Sequence, residues 1–200
     1  MTVTHPPPTG VAWMPDETSD ADVIEKSWRE PERFAVIFDR YFPQIHRYVA
    51  SRLGHSAADD VAAETFLAAF DRRDRYDLGR PKASAWLYGI ATNLIGRHWR
   101  AEERMYRALE RSGVDGDLAS HADRVAERVS AEQMQPRLAA GLAGLSQGDR
   151  DALLLTACGQ LSYDEVALAL DIPAGTVGSR LNRARKHLRQ ALGQEAASHG

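Results

Sequence analysis

Between Ser162 and Gln190 the chain spells out two short helices and the turn that joins them, and this constrains the fold more than any other feature. Ser162-Tyr-Asp-Glu165 fits a capping box, in which the serine oxygen accepts from the third helical amide and the glutamate reaches back to the cap. It predicts a helix ending near Leu170, a tight turn at Asp171-Ile172, and a second helix from about Pro173, where proline suits a first helical position. Val177, Leu181, Ala184 and Leu188 recur at steps of four, three and four and form one apolar stripe. At about 100° per residue, Ser179, Asn182, Arg183 and Lys186 face away from it. Arg180, Arg183, Arg185, Lys186 and Arg189 populate this helix and no acid does. An apolar stripe for packing opposite a polar, cationic face is what a helix needs to enter the major groove, so the pair reads as a DNA-binding helix-turn-helix. Arg183 suits a guanine, Asn182 an adenine, and Arg180, Arg185 and Arg189 suit phosphates.

The formal net charge of −3 excludes a uniformly basic nucleic-acid binder, but the charge is bipolar. Asp16, Glu17, Asp20, Asp22, Glu25, Glu30 and Glu32 crowd the N-terminal side, opposite in sign to the last helix. A single cysteine, Cys158, excludes an internal disulfide; lying in an apolar run, it is expected to be a buried small hydrophobe. Neither a signal-peptide core nor a run of ~18 apolar residues is present, so a cytoplasmic protein without membrane insertion is expected. No Walker loop, nucleophile motif or metal-ligand spacing appears; the sequence points away from an enzyme, with no catalytic residue, cofactor or metal expected.

Periodicity is helical wherever it is present, and the expected fold is all-α: two small helical domains joined by a flexible linker. Residues 1–26, rich in Pro, Thr and Asp, read as a disordered tail. Residues 27–104 read as the first domain. Within it, Pro43 is expected to kink or restart a helix, Ser56-Ala-Ala-Asp59 to cap a second one, and Ala85–Arg100 to form a third. Residues 105–132 read as a linker with some helical content, 133–192 as the helix-turn-helix domain, and 193–200 as a tail.

Two pairs of strings, in order, resemble a known family. Asp59-Asp-Val-Ala-Ala-Glu-Thr-Phe-Leu67 and Ala85-Trp-Leu-Tyr-Gly-Ile-Ala-Thr-Asn-Leu94 resemble region 2 of the extracytoplasmic-function (ECF) sigma factors of bacterial RNA polymerase. Leu161-Ser-Tyr-Asp-Glu-Val-Ala167 and Ile172–Arg185 resemble their region 4. The resemblance spans about residues 30 to 192 and implies a factor that binds core RNA polymerase and directs initiation at promoters by reading −10 and −35 elements. It implies polymerase contacts at Asp60, Ala63, Glu64 and Phe66. It implies −10 contacts at Tyr76, Lys82 and Ser84 in a loop, and at Asn93, Arg97 and Arg100 on the following helix. For the −35 element it implies Thr176, Ser179, Arg180, Asn182, Arg183 and Lys186. It further implies control by an anti-sigma factor held between the domains. Two departures stand out: Gly178, where many members carry a basic residue, and Ala63, where a polar residue is common.

The residues themselves add that Asn93, Arg97 and Arg100 share a face, which suits unpaired bases and their phosphates. Tyr88 and Trp99 flank it as candidate stacking platforms, whereas Trp86 reads first as core. The rival reading is a stand-alone repressor or activator whose N-terminal helices sense a ligand or dimerise. The discriminator is the N-terminal domain, which on that reading needs a pocket or dimer face in place of the 59–67 string.

Overall fold

The computed structural model describes residues 19–111 and 136–193; the expectations for residues 1–18, 112–135 and 194–200 lie outside the described residues. Within these residues the chain forms eight α-helices and no strand.

The first is unexpected. Helix α1, Asp20–Lys26, lies inside the stretch read as a disordered tail. Its cap, Ser19, accepts from the Asp22 amide, and Val23 and Ile24 are buried in the core. Its far end is tied to the loop after α3: Trp28 Nε1–H donates to the Arg73 carbonyl and Arg73 Nε–H to that of Ser27. Acidic composition hid an ordered element because its two large apolar residues fall on one face.

Helices α2 (Ala35–Leu53), α3 (His55–Asp71) and α4 (Ser84–Arg111) pack on one another. Ile37, Ile45, Tyr48 and Val49 from α2 meet Ala58, Ala62 and Ala69 from α3 and Leu87, Ala91 and Ile95 from α4. The alanines let α3 approach closely, and burial of the larger side chains supplies about 1.5–3 kcal/mol each. Pro43 sits inside an unbroken α2 rather than starting a new helix, and α3 begins at His55 behind Gly54 (φ 77°), not at a Ser56 cap. Helix α4 continues through residues 105–111, the start of the stretch read as a linker with some helical content.

In the C-terminal half, α5 (Pro136–Ala143), α6 (Gln147–Ala157), α7 (Tyr163–Leu170) and α8 (Ala174–Gly193) form the second unit. The buried Arg150 guanidinium donates to the carbonyls of Leu142, Ala143 and Leu145 and so satisfies the open end of α5. The expected capping box at Ser162 and Glu165 is formed, and Asp171 takes the left-handed conformation (φ 50°) that turns α7 into α8. Cys158 is exposed rather than buried, because it caps the end of α6 where the chain leaves the core.

The two units touch. Helix α7 packs along α4, and Leu155, Val166 and Ala169 join the same apolar cluster as Leu87 and Ala91. Gly89 permits the approach: a Cβ there would stand 2.8 Å from the Ala169 carbonyl oxygen. Beside it, buried Arg52 of α2 pairs with buried Asp151 of α6, and its guanidinium lies 4.7 Å from the centre of the Trp99 ring. The Nε and Nη2 of Arg52 have no hydrogen-bond partner among the described residues.

Candidate nucleic-acid interface

Helix α8 buries Val177, Leu181 and Ala184 completely and half-buries Leu188, leaving Ser179, Asn182, Arg183, Arg185, Lys186 and Arg189 exposed. Thr176 and Arg180 are half-buried at its start, with the Thr176 amide donating to the Pro173 carbonyl at 2.8 Å. The sequence reading missed the partner of Arg183. Its Nε and Nη2 donate to the two carboxylate oxygens of Asp149 on α6, at 3.2 and 2.8 Å, so its fork is already engaged. Arg183 holds the Asp149 carboxyl below its ordinary value; the Ser146 hydroxyl also favours the charged form, while desolvation opposes it. A six-residue window around Asp149 carries no signal of a contact made 34 positions later. Arg180 lies over Gly148 at the start of α6.

On the other unit Asn93, Arg97 and Arg100 are exposed along α4 as expected. Arg97 and Arg100 line a groove between α3 and α4 together with Glu64, His98 and Arg104, and Arg97 stands 3.7 Å from Glu64. Asn93 and Arg100 also line the seam between the two units, facing Asp171 and Arg180. Lys82 is exposed in the loop before α4, and Ser84, expected in that loop, is the half-buried first residue of α4. Tyr76 is not presented for contact: it is buried, its hydroxyl donates to the Arg80 carbonyl, and its ring packs on Trp86 at 5.0 Å. Tyr88 is core as well, edge-on to Tyr48, so it is no stacking platform; burial raises its hydroxyl to about 12. Trp99 is half-buried under Arg52 at the seam.

Residues 37–105 match the family model Sigma-70 region 2, and residues 137–188 match Sigma-70, region 4. The ECF RNA polymerase sigma factor SigW of Bacillus subtilis is 33% identical over 171 residues, covering 82% of this chain and 90% of the relative. The chain belongs to the ECF sigma factors. The family comprises the initiation factors that direct bacterial RNA polymerase to promoters. SigC of Mycobacterium tuberculosis is 35% identical over 148 residues, 72% of this chain and 75% of the relative. Two solved structures share the fold, each with a TM-score of 0.62. One is CnrH in complex with the cytosolic domain of CnrY, at 24% identity over 88% of this chain and 98% of that one. The other is RpoE with the anti-sigma factor NepR from Bartonella quintana, at 23% identity over 80% and 96%.

Among the polymerase-contact expectations for this sigma factor, Asp60, Ala63 and Glu64 are exposed on α3. Phe66 is not: its ring is buried against Phe38 and Phe42, at 5.0 and 5.9 Å between centres. Leu67, its neighbour on α3, is exposed instead, as is Phe38 of α2, and the motif string could not separate Phe66 from Leu67 without the helix register. No described helix is long and apolar enough to cross a membrane.

Proposed function

We propose that this sigma factor loads onto core RNA polymerase through the α3 face carrying Asp60, Ala63 and Glu64, with Leu67 and Phe38 in the place expected for Phe66. Lys82 and Ser84, with Asn93, Arg97 and Arg100, then take the −10 strand. Thr176, Ser179, Arg180, Asn182, Arg183 and Lys186 take the −35 duplex. The observation that carries this reading is the pair of exposed cationic helix faces, one on each unit, on a chain of this family. Opened bases require cations and donors along a strand, while a duplex element requires an inserted helix. Nothing in this reading calls for a reaction catalysed by the chain, and its place of work is the cytoplasm.

The seam sets a condition. Asn93 and Arg180 line one groove, whereas elements near −10 and −35 are separated by ~25 base pairs of ~3.4 Å each. The units must therefore part to hold both at once. An anti-sigma protein, as NepR is to RpoE, would keep this chain from polymerase.

The test is to mix purified chain with core polymerase and score run-off transcription across promoters. Transcription from a subset supports the reading. Tight operator binding by the free chain, with no association with polymerase, makes it a stand-alone regulator instead.

A further inference from the structure

Asp20 is the first residue of α1, and its carboxylate is buried. Oδ1 accepts from Arg40 Nη1 at 2.8 Å. Oδ2 accepts from the Tyr41 hydroxyl and from the backbone N–H of Ala83, the latter at 2.8 Å across 63 positions of sequence. The backbone N–H of Asp20 donates in turn to the Pro81 carbonyl at 3.1 Å. One residue thus clasps the chain on both sides of exposed Lys82.

The chemistry of the clasp is that of a helix cap. Ala83 immediately precedes α4, and its carbonyl accepts from Leu87 as the first helical acceptor. Alanine has no side-chain oxygen with which to cap the amides that open a helix. Asp20 accepts the N–H of Ala83 itself from α1, as a capping-box glutamate does locally, with its charge favourably placed at the positive end of α4. Burial, aided by the adjacent Asp20 carboxylate, pushes the Tyr41 hydroxyl well above the ordinary tyrosine range, so it remains a donor. From within, the Tyr76 hydroxyl holds the Arg80 carbonyl, and the loop is pinned at both ends.

We infer that Asp20 is a positioning residue for −10 recognition: from α1 it fixes the Pro81–Ala83 backbone and so aims Lys82 and the start of α4 at the single strand. This rests on the proposed role of the 76–84 loop and α4 in holding the −10 strand. Asp20 itself, buried under the loop, touches no DNA.

The experiment uses the full chain in holoenzyme, with Asp20→Ala, Asp20→Asn, Lys82→Ala and the Asp20→Ala/Lys82→Ala double variant. Three affinities are measured: for core polymerase, for a −35 duplex, and for a single-stranded −10 oligonucleotide. Amide exchange at Ala83 is followed in parallel. Asp20→Ala is expected to weaken −10 strand binding about tenfold while leaving the other two affinities unchanged, and to speed exchange at Ala83. Asp20→Asn keeps an acceptor oxygen but not the charge, and is expected to fall between; it also serves should the alanine variant fail to fold. Lys82→Ala is expected to cost little further in the Asp20→Ala background, because contacting or coupled residues are non-additive. Equal losses in all three affinities, full additivity with Lys82→Ala, or unchanged −10 binding in both Asp20 variants would overturn the inference. If Ala83 exchange accelerates while Lys82→Ala, Arg97→Ala and Arg100→Ala all leave −10 binding intact, the role assigned to the loop fails and the anchor alone stands.

Discussion

Helices α4 and α8, the two proposed to meet nucleic acid, both expose cations, but they are built differently. Helix α8 has no acid of its own, buries one clean stripe and leaves most of its polar face exposed, with Arg183 paired to Asp149 of α6. Helix α4 carries Glu102 and Glu103, pairs Arg97 with Glu64 of α3, takes its capping carboxylate from α1, and is overlaid by α7. The α8 face is formed by its own helix with one outside carboxylate upon it; the α4 face is assembled from the rest of the molecule and partly covered. On the proposed reading, −35 binding then depends mainly on local sequence and −10 binding on tertiary state.

The sharpest way to break this comparison is to open the seam. Removing one partner of a buried ion pair costs about 3–5 kcal/mol. Asp151→Ala strands Arg52, and Gly89→Leu drives a side chain into the Ala169 backbone. Either is expected to separate the units: helical content is retained, the radius of gyration by small-angle X-ray scattering rises, and single-strand binding by α4 increases. An unchanged radius would mean that α7 does not depend on these contacts for its place on α4.

Truncation separates the tail from the helix it leads into. Deleting residues 1–26 removes Asp20, Val23 and Ile24 and is expected to cost about 3 kcal/mol or more from the two buried apolar side chains alone. The expected readout is a lower thermal midpoint and lost −10 binding. Deleting residues 1–18 spares α1 and is expected to leave both unchanged. Equal effects of the two deletions would show that α1 contributes nothing to the α4 reader.

A smaller effect is expected from the ion pair that α6 makes with the polar face of α8. Arg183→Ala should weaken −35 binding roughly tenfold and relax preference at one base. Asp149→Ala should do less to affinity and more to specificity, since it frees the fork without removing it. Uniform weakening on every sequence would make Arg183 a phosphate contact. The Asp149 carboxyl is depressed in the folded chain, so the pair's contribution is whole above the ordinary aspartate value of 3.8 and is lost as pH falls below it. Fluorescence-monitored −35 binding should accordingly show no step from this pair between about pH 5 and pH 8.

The mildest test is Gly178→Arg. A Cβ at Gly178 meets nothing within 4 Å, so the new side chain enters open space. Replacing a mid-helix glycine is worth about 0.5–1 kcal/mol of helix stability. One added phosphate contact should steepen the salt dependence of −35 binding by about one unit. An unchanged salt slope would place Gly178 off the DNA-facing surface.

The sequence by itself determined the all-α fold, the capping box at Ser162, the turn at Asp171 and the exposed set on α8. Each rests on residues within one or two helical turns, where periodicity and cap chemistry act directly. The same local rules placed Asn93, Arg97 and Arg100 on an open face of α4. Tertiary structure decided the rest. It buried Tyr76, Tyr88 and Phe66, which a motif string ranks equally with exposed neighbours, because aromatic rings go wherever the most surface can be removed from water. It drew α1 out of an acidic stretch, set Asp149 against Arg183 and Asp20 against Ala83, and laid α7 over α4. Those contacts join residues 34, 63 and about 80 positions apart, and a hydrogen bond or a packed seam between such residues leaves no period in the chain for a reader to find.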